Sequence, residues 1–424
     1  MNVLWLVNVK IPLVYTISGE KNKTNVGGWL DQISKRFTNN SENQLCVVYP
    51  TANKNGETGQ KINVKYFGIY FDQHKMNAGK LSDESVNQFV SILLEQNPDV
   101  IHIHGTEFQH SYFMTEAAKR CGMIERVVIS IQGMVGYYAK HFDLGIPEKI
   151  KRRRTIREIV LNRDIETAKR EYVQRGVFEK LAIENVKYVI GRTNWDLACV
   201  KLINPQIEYY FCNETLRSDF YSEEWSYEKC EKHSVFVSQA SYPIKGAHLL
   251  IEAVSLVKKR FPDVKIRIAG PSLLGGNWIK GNSYSLYIQE LIKRNDLNDN
   301  IIFLGSQNAQ QMKENMLNAN VFVSPSTIEN SPNSLGEAMI LAVPCVSSDV
   351  GGVMNLMCHN KEGYIYPVDE TYMLAYYLID LFENKEKAIE MGKMAKSHAM
   401  ITHDLDTNYS RLVGIYGEII GGLK

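Results

Sequence analysis

The sequence predicts an α/β fold with two doubly wound domains. Apolar, β-branched segments typical of buried strands alternate with segments of helical periodicity along almost the whole chain, which indicates parallel sheets built from βαβ units. A chain of 424 residues is too long for one hydrophobic core and suits two domains. We therefore expect two Rossmann-like domains facing a central cleft, with ligands at the carboxyl ends of the strands.

The domain boundaries follow from a polar, irregular stretch in the middle of the chain. This stretch, residues 213–232, is predicted to be a linker between an N-terminal domain at 1–212 and a C-terminal domain at 233–403, and a last helical segment occupies 404–424. Helices are predicted at 28–37, 83–96 and 112–121, among others. The predicted strands are 3–9, 44–49, 64–70, 100–104, 127–131, 188–191 and 207–211, then 234–238, 265–269, 301–304, 321–324, 345–347 and 364–366.

The composition excludes several classes of protein. The 48 Lys and Arg nearly balance the 47 Asp and Glu, so no global charge favours nucleic acid as a partner. The seven cysteines are scattered, show no metal-binding spacing and are typical of thiols in a reducing compartment. Asn2, Asn8 and Lys10 interrupt the apolar start of the chain, so we expect a first strand there and not a signal peptide. No run reaches the ~18 apolar residues of a membrane span, and we predict a cytoplasmic protein.

Two carboxylates and the start of a helix stand together in the stretch 324–352. Glu329 and Glu337 are eight positions apart, and between them Ser331 is predicted to be the N-cap and Pro332 the first helical residue. Glu329 then lies on the loop before the helix, and Glu337 lies inside the helix. The first amides of the helix are expected to face the same space, and they belong to Asn333, Ser334 and Leu335.

This arrangement of groups suits one class of ligand. Free amides and the helix dipole form a seat for a diphosphate. A carboxylate on each side accepts hydrogen bonds from sugar or ribose hydroxyls. A diphosphate between two polyols describes a nucleotide-sugar, although a loop and a capped helix with an unrelated Glu also occur in many α/β proteins.

The same stretch resembles the E-x7-E motif of the retaining family-4 glycosyltransferases, which have the GT-B fold. The match includes "SPS", both Glu, the "EAM" after the second Glu, "VP" and "SSDVGG". The resemblance implies transfer of a sugar, with retention, from a UDP- or GDP-type donor to an acceptor hydroxyl, in assembly of a bacterial surface polysaccharide such as capsule or O-antigen. It implies that Glu329 holds sugar hydroxyls, that Glu337 holds the ribose, and that 404–424 packs back on the first domain. It implies no cofactor and no metal.

The resemblance assigns further positions on the donor side. Gly27 and Gly28, before a helix, correspond to the glycine-rich donor loop, and Lys245 corresponds to the lysine that stabilises the leaving diphosphate. Gln239 stands where the family usually has an arginine, so one positive charge is missing from this set. Gly305 lies in the segment that passes under the nucleotide base.

Two positions are assigned to the sugar and acceptor side. His104 ends a predicted strand and resembles the strand-end histidine of the family, whereas His102 is expected to be a hydrogen-bonded core residue. Gln132 replaces a histidine that touches the hexose in many members, and an amide cannot carry a proton. No Asp, Glu or Cys is spaced to complete a metal site with the two histidines.

A basic segment follows. Residues 147–176 contain ten Lys or Arg and five Asp or Glu. One interpretation is a solvated helix with i,i+4 ion pairs. The other is that the segment from Lys149 to Arg175 contacts an anionic membrane surface, at the inner face of the plasma membrane, where a lipid-linked glycan acceptor is held. Nucleic acid is not expected, because no aromatic platform accompanies the charge.

Two other functions are compatible with the same fold. A sugar-nucleotide epimerase needs an acid–base pair that the sequence does not display, and it turns over without an acceptor. A non-catalytic subunit that binds a sugar nucleotide or glycan is favoured by Gln239 and Gln132, and it binds ligand without turnover. The simultaneous presence of Glu329, Glu337 and Lys245 favours the transferase.

Overall fold

The chain forms two compact units. The computed structural model describes residues 1–21 and 27–423. Unit 1 comprises residues 1–137, 171–217 and the chain from His403 onward, and unit 2 comprises residues 138–170 and 218–402. Residues 138–170, expected above within the N-terminal domain, thus group with unit 2, and the change of unit in mid-chain falls between Arg217 and Ser218.

Unit 1 contains an eight-stranded sheet. Its strand order is β3-β4-β2-β1-β5-β6-β7-β8, and all neighbours are parallel except β3 and β4. The sequence analysis missed β3, because its five residues "ETGQK" are polar and show no apolar alternation. The strands are β1 Asn2–Val7, β2 Gln44–Thr51, β3 Glu57–Lys61, β4 Val64–Tyr70, β5 Val100–His104, β6 Val127–Ser130, β7 Tyr188–Gly191 and β8 Glu208–Phe211.

Unit 2 contains a six-stranded sheet, parallel throughout, with the strand order β11-β10-β9-β12-β13-β14. The chain leaves β9 toward β10 on one side and returns to β12 on the other. The carboxyl ends of β9 and β12 therefore form a topological switch point, where ligands bind in open α/β sheets. The strands are β9 Ser234–Val237, β10 Lys265–Ile268, β11 Ile301–Phe303, β12 Val321–Ser324, β13 Cys345–Asp349 and β14 Tyr364–Pro367.

Helices connect these strands. In chain order they are α1 Pro12–Ser18, α2 Asp31–Asn39, α3 Gln73–Asn77, α4 Ser85–Gln96, α5 Gln109–Arg120, α6 Val135–Tyr138, α7 Glu148–Lys151, α8 Ile156–Leu161, α9 Ile165–Glu184, α10 Asn194–Ile203, α11 Ala247–Val257, α12 Ser283–Arg294, α13 Ala309–Asn318, α14 Asn333–Ile340, α15 Val353–Leu356, α16 Thr371–Glu383, α17 Lys385–Thr402 and α18 Leu405–Gly422. None of the helices in the described ranges is both long enough and apolar enough to span a bilayer.

The first strand of unit 1 packs against the last helix. The hydroxyl of Tyr416, on α18, accepts a hydrogen bond from Trp5 Nε1 at 3.0 Å and lies 2.6 Å from His102 Nδ1. The other nitrogen of His102 lies 2.6 Å from Ser130 Oγ. His102 is thus a buried, fully hydrogen-bonded core residue, as the sequence indicated.

Residues 138–170 attach to unit 2 through several elements. His248, on α11, lies 2.8 Å from the carbonyl oxygen of Leu144, and Thr327 donates to the carbonyl of His141 at 2.8 Å. Arg153 forms a 2.6 Å ion pair with Glu290 on α12. These contacts explain why the segment belongs to this unit although it lies within the first half of the chain.

The stretch predicted as a linker is partly packed. Trp225 is buried in unit 2, where its backbone amide donates to the Leu341 carbonyl at 2.7 Å and its indole N–H donates to the Ala319 carbonyl at 2.7 Å. Residues 218–232 are therefore the start of unit 2 and not a free connection.

Candidate functional site

The loop after β12 brings a carboxylate and a lysine together. Glu329 Oε1 accepts from Lys245 Nζ at 2.5 Å and from Ser326 Oγ at 2.8 Å. Lys245 ends a short 3-10 helix, Pro243–Lys245, that follows β9, so both side chains lie at the switch point. Both are mostly buried, with 19% and 12% of the lysine and glutamate side chains exposed. At this place the lysine can bind a phosphate, and the carboxylate can accept a hydrogen bond from a hydroxyl.

Two glycines fix the position of this loop. Gly246 has φ +67°, and a Cβ there would lie 1.8 Å from the carbonyl oxygen of Pro325. Gly351 has φ +50°, and a Cβ there would lie 1.9 Å from the carbonyl oxygen of Glu329. Only glycine allows both the left-handed backbone and this close approach. The backbone before and at Glu329 is thus held from two sides.

Helix α14 places the second carboxylate. The helix begins one residue later than predicted, with Pro332 and not Ser331 in the N-cap position, and no side chain caps it. The amide of Leu335 donates to the Pro332 carbonyl at 3.0 Å, so this amide is used within the first turn. Glu337 is buried on the helix.

The start of α14 also contacts the end of β9. Ser238 Oγ donates to Ser334 Oγ at 3.0 Å, which joins the residue after β9 to the first turn of the helix. Asn333 is the first residue of that turn. This contact lies at the carboxyl edge of the unit 2 sheet, beside the end of β12. We call Lys245, Glu329, Ser334 and Glu337 with their loops the switch-point site.

Gln239 and Gly305 lie near the neighbouring strand ends. Gln239 follows β9, is half-buried, and packs near Gly270. Gly305 follows β11, and its carbonyl accepts from the Gly270 amide at 2.9 Å. Both residues predicted for nucleotide contact thus lie at the same sheet edge as the switch-point site.

His104 lies in unit 1 beside a cavity at the carboxyl edge of that sheet. Its ring packs on Trp5, with 4.9 Å between centroids, and on His102 at 3.7 Å. Burial lowers the pKa of His104 to about 3, so the ring is neutral at ordinary pH. Its Nε2 is buried and has no hydrogen-bond partner among the described residues. The cavity is lined by Trp29, Ile33, His104, Gln132, Arg192 and Glu214, among others.

Gln132 belongs to a polar network that the sequence analysis missed. Its Nε2 donates to Glu214 at 2.5 Å, and Glu214 also pairs with Arg192 at 2.6 Å. Arg192 donates further to the Ile131 carbonyl at 3.2 Å. The amide of Gln132 is therefore oriented by an ion pair. Its partners are 60 and 82 positions away along the chain, so no local pattern could have indicated them.

The predicted glycine-rich loop of unit 1 lies only partly in the described residues. Residues 22–26 fall outside them, whereas Gly27 and Gly28 are described. Gly28 starts a short 3-10 helix that leads into α2, and a Cβ there would lie 3.0 Å from Cδ of Arg217. The backbone at Gly28 thus runs against an arginine side chain, which a larger residue would displace.

Two further observations concern groups of charged and metal-binding side chains. Within the described part of the chain, no three His, Cys, Asp or Glu side chains are grouped so that they could bind a metal ion. The basic segment is not one helix, because it is broken between α7, α8 and α9. Its ion pairs join different elements, as Arg154 does with Asp164 at 2.8 Å and Lys169 with Asp143 at 2.7 Å.

The sequence of unit 2 matches a known family. Residues 219–398 match the family described as "Glycosyl transferases group 1". A D-inositol 3-phosphate glycosyltransferase of Corynebacterium urealyticum is 24% identical over 173 residues, which are 41% of this chain and 40% of that protein. The amylovoran biosynthesis glycosyltransferase AmsK of Erwinia amylovora is 24% identical over 177 residues, 40% of this chain and 41% of that protein. The chain thus aligns with about two fifths of the length of these relatives.

The similarity of the fold extends over both units. The structure of Anabaena Alr3699/HepE in complex with UDP-glucose superposes with a TM-score of 0.67 at 17% identity, and the alignment covers 99% of this chain and 100% of that one. At this identity the likeness concerns the fold alone.

Proposed function

We propose that this chain, whose residues 219–398 match the group 1 glycosyl transferases and which has the GT-B fold, transfers a sugar from a nucleoside diphosphate sugar to an acceptor hydroxyl with retention. The observation that carries the proposal is the pairing of Lys245 with Glu329 at the switch point of unit 2. The E-x7-E spacing and the fold add to it.

The proposed roles follow from charge and position. Lys245 and the amides at the start of α14, other than the amide of Leu335, stabilise the negative charge that grows on the diphosphate as the glycosidic bond breaks. Glu329 accepts hydrogen bonds from sugar hydroxyls, and Glu337 accepts from the ribose. When a donor enters, Lys245 exchanges its bond with Glu329 for one with a phosphate oxygen, which releases the carboxylate for the sugar.

The reaction balances without an enzymic base. The bond from the anomeric carbon to the phosphate oxygen breaks, and a bond from that carbon to the acceptor oxygen forms on the same face of the sugar. The acceptor proton passes to the departing phosphate oxygen. Because Lys245 and the helix start supply positive charge, we propose that transfer needs no metal ion, and that positioning and electrostatics provide the rate.

The donor and acceptor are proposed from similarity. The structural neighbour with UDP-glucose bound makes UDP-sugars the first donors to test, with GDP-sugars next. The relative named for amylovoran biosynthesis supports a role in surface polysaccharide assembly, with a free or lipid-linked glycan as acceptor.

The test combines binding and turnover. The melting temperature of the protein is measured with a panel of nucleotide-sugars, since a ligand of the native state raises it by mass action. We expect one nucleotide to raise it for wild type and not for Lys245→Ala, and release of the free nucleotide to require an added acceptor. Activity that persists in chelator would support the metal-independent form. No shift and no turnover with any nucleotide-sugar would refute the proposal.

A binding subunit without turnover is the second candidate. It is favoured by Gln239, which supplies no charge at the usual arginine position, and by Gln132, which bonds to Glu214. The same panel separates the two, because a subunit would show a melting shift without release of nucleotide.

A further inference from the structure

Helix α8 of unit 2 exposes its apolar side chains and buries its acidic one. Its acidic residue, Glu158, is buried, whereas Ile156, Ile159, Val160 and Leu161 are exposed. Val160 is 76% exposed and Ile159 is 63% exposed. A surface helix normally buries its apolar side and exposes its charges, so the outward face of α8 is made for apolar surroundings.

The burial of Glu158 holds the helix in this orientation. Its carboxylate accepts from the backbone amide of Thr155 at 2.8 Å, which completes a capping box. It also accepts from the backbone amide of Ser283 at 2.9 Å and from the Ser283 hydroxyl at 2.8 Å. Three donors satisfy the buried charge, so α8 cannot roll its apolar side inward without leaving that charge unpaired.

A second segment extends the apolar surface. Trp278 is 52% exposed and Ile279 is 61% exposed, in the loop before α12. The Trp278 carbonyl accepts a hydrogen bond from the Ile156 amide at 2.9 Å, and the Lys280 carbonyl accepts one from the Arg157 guanidinium at 3.3 Å. We call the exposed apolar side chains of α8 and this loop the α8 surface. It consists of Ile156, Ile159, Val160, Leu161, Trp278 and Ile279.

Exposed positive charge lies on α8 itself, on the loop before α12 and on the preceding α7 segment. Lys149, Arg152, Arg157 and Lys280 are exposed. None of these four has a carboxylate within ion-pair distance among the described residues. The nearby exposed Glu148 pairs with Lys151 at 2.8 Å. At the far end of the basic segment, Arg175 does not contribute, because it is buried in unit 1, where its guanidinium lies 4.4 Å from the centroid of the Tyr172 ring.

We propose that the α8 surface docks on an anionic lipid bilayer, into which Ile159, Val160, Trp278 and Ile279 insert. An aliphatic face with a tryptophan, bordered by unpaired Lys and Arg, matches the boundary between lipid headgroups and acyl chains. The alternative to a bilayer is a protein partner whose apolar contact surface has an acidic rim. The bilayer is favoured because exposed aliphatic side chains and an exposed indole are accompanied by exposed Lys and Arg, a combination that complements acyl chains below a layer of anionic headgroups.

The proposal is tested by sedimentation of the full chain with sucrose-loaded vesicles of phosphatidylcholine, with or without about one third phosphatidylglycerol. We expect binding to the anionic vesicles only, weakened strongly between about 0.1 and about 0.5 M salt. For the double variant Ile159→Ser/Val160→Ser we expect the affinity for anionic vesicles to fall by at least about tenfold. Ile401→Ser is the matched control, since Ile401 lies in the same unit and is also 76% exposed, and it should bind like wild type.

Insertion has its own readout. Lipids brominated on the acyl chain should quench tryptophan fluorescence in wild type and much less in Trp278→Phe, because Trp5 and Trp225 are buried, and Trp29 and Trp195 are half-buried and belong to unit 1. Equal binding of the double variant and wild type would overturn the proposal, as would equal binding to neutral vesicles. Concentration-dependent self-association that the double variant loses would instead assign the surface to a second copy of the chain. None of these measurements uses a nucleotide-sugar, so their outcome is independent of the proposed transfer.

Discussion

Replacing Gly246 by Ala tests whether close packing of the Glu329 loop positions the switch-point site. The new Cβ would lie 1.8 Å from the Pro325 carbonyl oxygen, about half of a normal contact distance, so that carbonyl must move by more than about 1 Å. Moving Pro325 shifts the loop that carries Ser326 and Glu329 away from Lys245. We therefore expect loss of both stability and nucleotide binding.

The magnitude has two parts. The left-handed backbone, at φ +67°, costs a residue with a Cβ about 1–2 kcal/mol. Forcing the loop aside adds about 1–3 kcal/mol, the usual range for overpacking. Gly275→Ala isolates the first part, since Gly275 lies in the same unit at φ +81° and a Cβ there meets nothing within 4 Å.

Scanning calorimetry of the transition of unit 2 provides the measurement. Each kcal/mol lowers the melting temperature of a domain of this size by about 2–4 °C. Gly246→Ala should therefore melt clearly below Gly275→Ala, and only Gly246→Ala should lose the melting shift with a nucleotide-sugar. Equal melting temperatures and retained nucleotide binding in both variants would refute the reasoning.

Three further changes have expected outcomes. Glu337→Gln keeps the size of a buried side chain but removes its charge. Because a hydrogen bond to a charged group contributes roughly 1.5–3 kcal/mol, titration calorimetry should show that uridine diphosphate binds about tenfold more weakly. An unchanged affinity would exclude Glu337 from the site. His104→Gln should reduce the acid sensitivity of unit 1. Burial lowers the pKa of His104 from 6.5 to about 3, so below pH 6.5 the unfolded chain binds a proton that the folded unit does not. The free energy of unfolding therefore falls with falling pH, by up to about 1.4 kcal/mol per pH unit. If the free energy of unfolding falls equally in wild type and His104→Gln between pH 7 and pH 4.5, this explanation is wrong. Glu158→Gln should lower the stability of unit 2 by about 1–3 kcal/mol in calorimetry, because two amides and a hydroxyl lose a charged acceptor; an unchanged melting temperature would show that this carboxylate does not hold α8.

Sequence reasoning was reliable where the signal is local. Strands β4, β5, β7 and β12 were predicted to the residue, because each is a short apolar run between turn residues. Strand β3 was missed because it lies at the sheet edge, and its residues are mostly exposed and carry no apolar pattern. The motif around Glu329 predicted the loop and helix but not the bond to Lys245, which joins residues 84 positions apart.

The remaining features depend on tertiary contacts that a periodic pattern does not encode. Residues 156–161 include four apolar side chains, but only the three bonds of Glu158 decide that these side chains point outward. Likewise the composition of residues 138–170 does not reveal which unit they join, because that depends on distant partners such as His248 and Glu290.

The contact of Trp5 and His102 with Tyr416 has a consequence for the order of folding. The two residues lie on the first and fifth strands of unit 1, whereas Tyr416 is near the end of the described chain. During synthesis, domains fold as their residues emerge. Unit 2 is complete at residue 402, but unit 1 still lacks the helix that covers its central strands. Folding of unit 1, which begins first, is therefore completed last, and until then the ribosome-bound chain exposes the part of its apolar core that α18 covers.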